Sequence, residues 1–236
     1  MKTGIQHPRF FIFQLYIEYM ILITATDTER KMFRMNNVLK SYCLVFAIAW
    51  ISTLIGTTNL SNWFMENALV IIFLLILGLS YSKFKFSDLS YTFIFIYLLL
   101  HIYGAKHTYA LNPFGFWLQE VFHFSRNHYD RIVHFSFGFM LAYPMRDYFL
   151  NKMKFPDWVG WMLPVEITLS FSCLYELIEW GVADVFFPEQ GEAYLGSQGD
   201  IWDAQKDMFM AFLGALLIMV VVWMIKKINM KNFKSE

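Results

Sequence analysis

Charge is scarce in this sequence. Asp, Glu, Lys and Arg make up 16% of its 236 residues, against about 25% in a soluble globular domain. The formal net charge is zero, so nothing points to nucleic acid or another polyanion as a partner. Only two cysteines occur, Cys43 and Cys173, both inside apolar stretches. A disulfide framework has a different pattern, and both read as small apolar residues. No repeat, low-complexity run or Gly/Ser linker divides the chain. The N-terminal apolar stretch lacks a small-residue cleavage site, which argues against a signal peptide. The signatures of common lipid phosphatases are also missing.

What is abundant is apolar surface: 57% of residues are hydrophobic and 20% aromatic. A soluble protein of this length could not hide so much Phe, Leu, Ile and Met, so the lipid bilayer is the first partner implied. A spanning helix needs about 20 mostly apolar residues. Four runs qualify: about Val38 to Thr57, Trp63 to Tyr81, Leu89 to Ala105, and Met208 to Ile225. Another lies between about Trp158 and Val185 and contains Pro164, which could open or kink it, with Glu166, Glu176 and Glu179. A further run, between Arg131 and Arg146, has only fourteen uncharged residues. That is about 21 Å of helix, short of the roughly 30 Å hydrocarbon layer. Either this helix is partial, or Asp130, Arg131 and His134 are drawn to its membrane edge. The expected fold is all-α, a polytopic membrane bundle of about six transmembrane helices.

Residues 1–36 read as an N-terminal extension. Its apolar part, Phe10 to Thr24, contains Glu18 and reads as interfacial, as a marginal span, or as sequence upstream of a start at Met32 or Met35. A non-spanning reading is preferred. The membrane domain is then 37–227, with a tail over 228–236. Lys and Arg in short loops mark the cytoplasmic side. Arg30, Lys31, Arg34 and Lys40, then Lys83 and Lys85, then Arg146, Lys152 and Lys154, then Lys226, Lys227, Lys231 and Lys234 alternate with base-poor connections. Both termini are therefore expected in the cytoplasm.

This topology collects polar residues at the outer face. His101 and His107 end the third span. His128, Asp130, Arg131 and His134 open the fourth. Glu176 and Glu179 lie late in the fifth, and Asp200, Asp203 and Asp207 precede or open the sixth. Asp130 and His134 are i,i+4, and Glu176 and Glu179 are i,i+3, so each pair shares a helix face. Ionisable residues inside a membrane default to a functional reading. Asp130, His134, Glu176, Glu179, Asp203 and Asp207 are the candidate catalytic groups. Arg131 and Lys206 are candidates to hold an anionic substrate group. His101, His107, His128 and Asp200 are candidate ligands for a divalent metal ion, which carboxylate and imidazole can bind. Each also has a structural reading. Asp200 and Asp203 suit a helix N-cap and first turn. Arg131 suits an interfacial snorkel. His134 suits a packed interhelical hydrogen bond. The long connection from Gly104 to Tyr129, with Asn112-Pro113-Phe114-Gly115, suggests a lid or interfacial hairpin.

Several of these stretches together resemble a known family. They are His101-Ile102-Tyr103-Gly104-Ala105, His107 with Tyr109, Asn127-His128-Tyr129-Asp130-Arg131 with His134-Phe135, Tyr175-Glu176-Leu177-Ile178-Glu179-Trp180, and Leu195 through Met208. They look like the bacterial inner-membrane YjdF family, over about Asn36 to Lys227. The resemblance implies a multi-pass plasma-membrane protein and carries no activity with it. A weaker likeness joins Asp130, Arg131, His134, Phe135, Glu176, Glu179, Asp203, Asp207 and Gly214 to VanZ-like membrane proteins. The Gln and Arg expected there between the last two helices do not match. Three functions stay open: a metal-dependent enzyme acting on a lipid or isoprenoid headgroup, a small-solute or proton transporter, and a structural or assembly protein.

Overall fold

Short polar signals delimit the helices. The computed structural model describes residues 37–57, 59–186 and 195–232. The expectations for residues 1–36, and for the middle of the acidic loop at 187–194, lie outside the described residues. Helix α1 spans Asn37–Thr53. Asn59 caps α2, Leu60–Ser80, accepting from the Asn62 N–H at 3.1 Å. Ser87 caps α3, Asp88–Lys106, accepting from Ser90 N–H at 3.2 Å. Asn112 caps α4, Pro113–Phe122, whose first position is proline, where the missing N–H costs nothing. Three longer helices follow: α5, Tyr129–Asn151; α6, Asp157–Phe186; and α7, Asp203–Asn232.

Among the described residues there is no strand, and α2, α3, α6 and α7 are long and apolar enough to cross a membrane. The chain is a helical membrane protein. α1 and α5 occupy the places of the other two expected spans. α1 is the shorter, ending where the chain turns through Gly56 at φ +71°. α5 settles the question of the short fourth span. It runs 23 residues without a break, about 35 Å, because Asp130, Arg131 and His134 are helical and find partners inside the bundle. α6 begins at Asp157, so Pro164 lies buried within it rather than opening it. α7 starts five residues before the expected Met208, which makes Asp203, Lys206 and Asp207 helical.

α5 is central. It packs on α3, α6 and α7, while α6 also packs on α7, and α1 and α2 pack on α3. Adjacent helices alternate in direction, and contacts identify the two ends. At one end Thr57 Oγ1 donates to the Lys106 carbonyl at 3.1 Å, and Tyr175 OH of α6 donates to Glu66 Oε2 of α2 at 3.0 Å. At the opposite end Asp147 accepts from Ser87 N–H and Ser90 Oγ at 3.0 and 2.8 Å, and Lys226 donates to Asp157 at 2.9 Å. Between the ends the core is apolar: Phe46, Val70, Ile94, Leu98, Ile102 and Leu141 in one cluster, Ala142, Val165, Ala215, Ile218 and Met219 in the other. α4 leaves Phe114, Phe116, Trp117, Val121 and Phe122 exposed, which is the composition of a helix lying at a membrane surface.

The closest helix contact is between α5 and α7. A Cβ placed on Gly138 would press on the Ala211 carbonyl, and one on Gly214 would press on the Phe135 carbonyl. In lipid, where apolar burial does not drive helix association, such small-residue contacts let backbones approach and hold them. Gly138→Ala and Gly214→Ala should each lose roughly 1–3 kcal/mol through overpacking, read as earlier thermal unfolding in detergent. Unchanged unfolding in both variants would contradict this contact.

Candidate functional site

The end of the bundle that begins α5 and α7 holds two connected polar sets. The first is a charge network. The buried Arg126 donates through Nη1 to Asp203 Oδ1 and through Nη2 to Asp203 Oδ2 at 3.2 Å, and also donates to the Ser197 carbonyl at 2.9 Å. Arg131 donates through Nη2 to Asp200 Oδ2 at 2.5 Å and to Asp203 Oδ1 at 3.1 Å, and its Nε lies 3.9 Å from Asp207 Oδ1. Lys206 donates to both oxygens of Asp200, at 2.9 and 2.6 Å. Hydrogen bonds from Lys206 and then Arg131 hold the Asp200 carboxyl well below the usual carboxylate range. Backbone ties fix the loop that carries Arg126. Asn127 N–H donates to Gln198 Oε1 and Gln198 Nε2 donates to the Asn127 carbonyl, both at 3.0 Å. Asn127 Nδ2 donates to the Asn112 carbonyl at 2.9 Å.

The second set adjoins it through Asp207. His134 Nε2 lies 3.5 Å from both Asp130 Oδ1 and Glu176 Oε1. Asp130, His134 and Asp207 present one ligand atom each within 4.8 Å of one another. Glu176 Oε1 and Asp207 Oδ1 are buried and take no hydrogen bond from the described residues. Such orphans cost about 1–3 kcal/mol each, and the nearest polar groups are His134 Nε2 for Glu176 and Arg131 Nε for Asp207. Beyond them His101 Nδ1 meets Tyr109 OH at 2.8 Å, and His101 Nε2 lies 4.0 Å from Glu66 Oε2. Thr108 and Tyr109 both have positive φ, 51° and 49°. For residues other than glycine this conformation is strained, and it folds the Tyr109 ring back onto His101.

The expected residues therefore divide. Asp130, His134, Glu176 and Asp207 come together, with Arg131 beside them. Asp200, Asp203 and Lys206 belong to the charge network. Glu179 joins through Tyr175 and the charge of Glu66. His101 pairs with Tyr109. His107 caps α3 and packs edge-to-face on Tyr103, ring centres 5.2 Å apart; burial and Lys106 lower its pKa. His128 Nδ1 lies 3.3 Å from Arg131 Nη1. Burial, and then Arg131, push its pKa below the ordinary 6.5.

Three residues of this end carried no site assignment in the sequence. Arg126 reads there as one base in a loop, although it adjoins the Asn127-to-Arg131 motif. Glu66 reads as a charge at the edge of a span, although a lone acid one turn into an apolar helix is itself a signal. Tyr109 sits in a loop, and only the fold carries its ring to His101.

Two measurements test the network. Removing one partner of a buried ion pair costs about 3–5 kcal/mol. Arg126→Met should therefore unfold far more easily in detergent than the wild type, and adding Asp203→Leu should recover part of the loss. For His128 the fold favours the neutral ring, so its contribution to stability is complete above about pH 6.5 and fades as pH falls below that. The drop in unfolding temperature between about pH 7 and pH 5 should shrink in His128→Gln.

Comparison with known proteins agrees with this architecture. No solved structure matches the chain. A relative named "Inner membrane protein YjdF", from Escherichia coli (strain K12), is 34% identical over 185 residues, covering 78% of this chain and 88% of the relative. The family described as "Predicted membrane protein (DUF2238)" matches residues 38–228, a range that takes in all of α2 to α6, nearly all of α1 and α7, and both polar sets, and the chain belongs to that family.

Proposed function

We propose that the protein is a metal-dependent membrane enzyme that acts on the polar head of a lipid or isoprenoid. The carrying observation is the donor set. Ligand atoms of Asp130, His134 and Asp207 lie within 4.8 Å of one another, and Glu176 Oε1 and Asp207 Oδ1 face the same region without a hydrogen bond. Three carboxylates and one imidazole suit a hard or borderline divalent ion. When bound, such an ion activates water or polarises a phosphoryl or carbonyl oxygen. Arg131 keeps its Nη2 on Asp200 and Asp203, but its Nε, 3.9 Å from Asp207 and without a hydrogen bond among the described residues, is the cationic donor nearest the set and the one assigned to an anionic head. Lys206 keeps its ammonium on Asp200, so its role is to fix that carboxylate in place. Glu179 and Asp203 support the set from either side.

The family relation and the relative's name support the inner membrane of a bacterium as its location. The Lys and Arg pattern supports cytoplasmic termini, with 37–227 as the membrane domain, 228–236 as a cytoplasmic tail and the site toward the outer leaflet. An enzyme is favoured over a transporter by the apolar core beyond the site. The one acid at mid-depth on the opposite half of α6, Glu166, is exposed on the outside of the bundle, so among the described residues no chain of ionisable side chains leads through the interior.

Elemental analysis of the purified full-length protein tests the reading. It should carry a divalent metal in roughly stoichiometric amount, and His134→Ala or Asp207→Asn should lose most of it, since losing even a group that only supports a ligand costs about 10–100-fold in affinity. Wild-type protein with no more metal than the His134→Ala variant would overturn it.

A further inference from the structure

Two members of the donor set, Asp130 and His134, line a cleft between helices of the bundle. α2 and α6 are not packed against each other along their length. Between them lies a cleft of about 350 Å³, within the roughly 300–1,000 Å³ of ordinary ligand sites. Its floor is α3 and α5, with Leu98, Val133, Phe137 and Leu141 among the lining residues. Its lips are α2 and α6. There Leu69, Ile72 and Ile76 face Phe171, Leu174 and Ile178, all of them lining the cleft and all more than a third exposed. In a bilayer these lips stand in hydrocarbon.

The polarity of the cleft is one-sided. Its ionisable lining is His101, Asp130 and His134, with Tyr97, Tyr109 and Tyr175, and all but Tyr97 lie at the site end. The Tyr175–Glu66 hydrogen bond joins the two lips there. From Asp130 to Met145, both of which line it, α5 rises about 22 Å. The hydroxyl of Ser172 also lines the cleft, is buried, and has no partner among the described residues. A packing fault would not show this order. An apolar slot longer than one leaflet's roughly 15 Å of hydrocarbon, open sideways to lipid and ending at two of the proposed metal ligands, has the shape of a lipid with one chain and a small polar head.

We infer that the α2–α6 cleft is a lateral binding site for a single long hydrocarbon chain, which enters from the bilayer and presents its polar head to Asp130 and His134. This names the substrate class for the proposed enzyme and rests on that reading for its chemistry. The binding itself does not require the metal. An acyl chain and an isoprenoid chain share this chemistry, and so do phosphate and uncharged heads.

The test is photolabelling of the full-length protein in bilayer nanodiscs with two probes. One is hexadecyl phosphate and the other hexadecanol, each carrying a diazirine in mid-chain. Label should concentrate on cleft-lining residues of α2, α5 and α6, and phosphate-probe labelling exceeding alcohol-probe labelling would mark an anionic head. Ser172→Trp and, as an independent block, Val133→Phe should each cut cleft labelling about tenfold or more, as expected for overpacking a filled slot. Leu213→Trp, on an exposed face of α7 outside the cleft, should leave it unchanged. Retained thermal unfolding of the variants excludes loss of fold as the cause. Label spread evenly over lipid-facing helices, or undiminished cleft label in both blocking variants, would overturn the inference. Metal content read on the same samples reports the proposed enzyme separately: cleft labelling that persists in Asp207→Asn, or in protein without metal, supports the chain site on its own.

Discussion

Everything at the polar end depends on two helices whose backbones touch. Gly138 of α5 lies against Ala211 of α7, and Gly214 of α7 against Phe135 and Phe139 of α5. Each contact fixes the residue one turn earlier. Four residues before Gly138 is His134, and four before Ala211 is Asp207. With no room for the helices to slide, the imidazole and the carboxylate have to meet at the same depth. The charge network is the consequence. An acid placed there by packing alone would be costly in lipid, and Arg131, three residues before His134, reaches back to it. Arg126 then balances Asp203, one turn earlier on α7. Packing and electrostatics fix the same register, so a change in either should disturb both.

α5 consequently separates two unlike surroundings. On one side the loops are stiff. The Asn127–Gln198 pair, the Asn112 cap and the Arg126 bonds to the Ser197 and Gly196 carbonyls leave little freedom. On the other side the cleft away from its polar end is walled mainly by Leu, Val, Ile, Phe and Met, which make no directional bonds. A site that must hold its reacting groups still while taking chains of differing length needs this division, because preorganised groups are effective only if they do not move. The central position of α5, packed on three helices, keeps the fixed side from following the adaptable one.

The fold was legible where the signal is local. Runs of apolar residues marked α2, α3 and α7, and the α6 boundaries fell within a residue of their expected positions. Counting the spans was enough to put the ends of α1 and α3 together at Thr57–Lys106, and the opposite ends of α3 and α5 together at Ser90–Asp147. Helical spacing was enough to pair Asp130 with His134. It was not enough for Glu66, whose partners Tyr175 and His101 come from helices far along the chain. Arg126 and Tyr109 were hidden for the same reason: their meaning depends on loops whose path is set by long-range hydrogen bonds. α5 misled by composition. Its polar residues face neighbouring helices rather than lipid, so an apolar count undervalues a helix that is central because it is polar.

The balance of charge gives the last step. Around His134 stand Asp130, Glu176 and Asp207, with Glu66 and Glu179 beyond Tyr175. Arg126 and Arg131 are already committed to Asp203 and Asp200, and Lys206 to Asp200. Among the described residues the His134 side of α5 thus carries more acid than base. Like charges this close cannot all persist in a low-dielectric setting, so protons or a cation must neutralise part of the set. The proposed enzyme would use either answer: shared protons would place acid and base side by side, and a bound metal ion would lower the pKa of its water. A bundle needing only stability would be better served by apolar side chains of the same volume. Their presence here, beside an apolar slot between α2 and α6, is what the proposed function rests on.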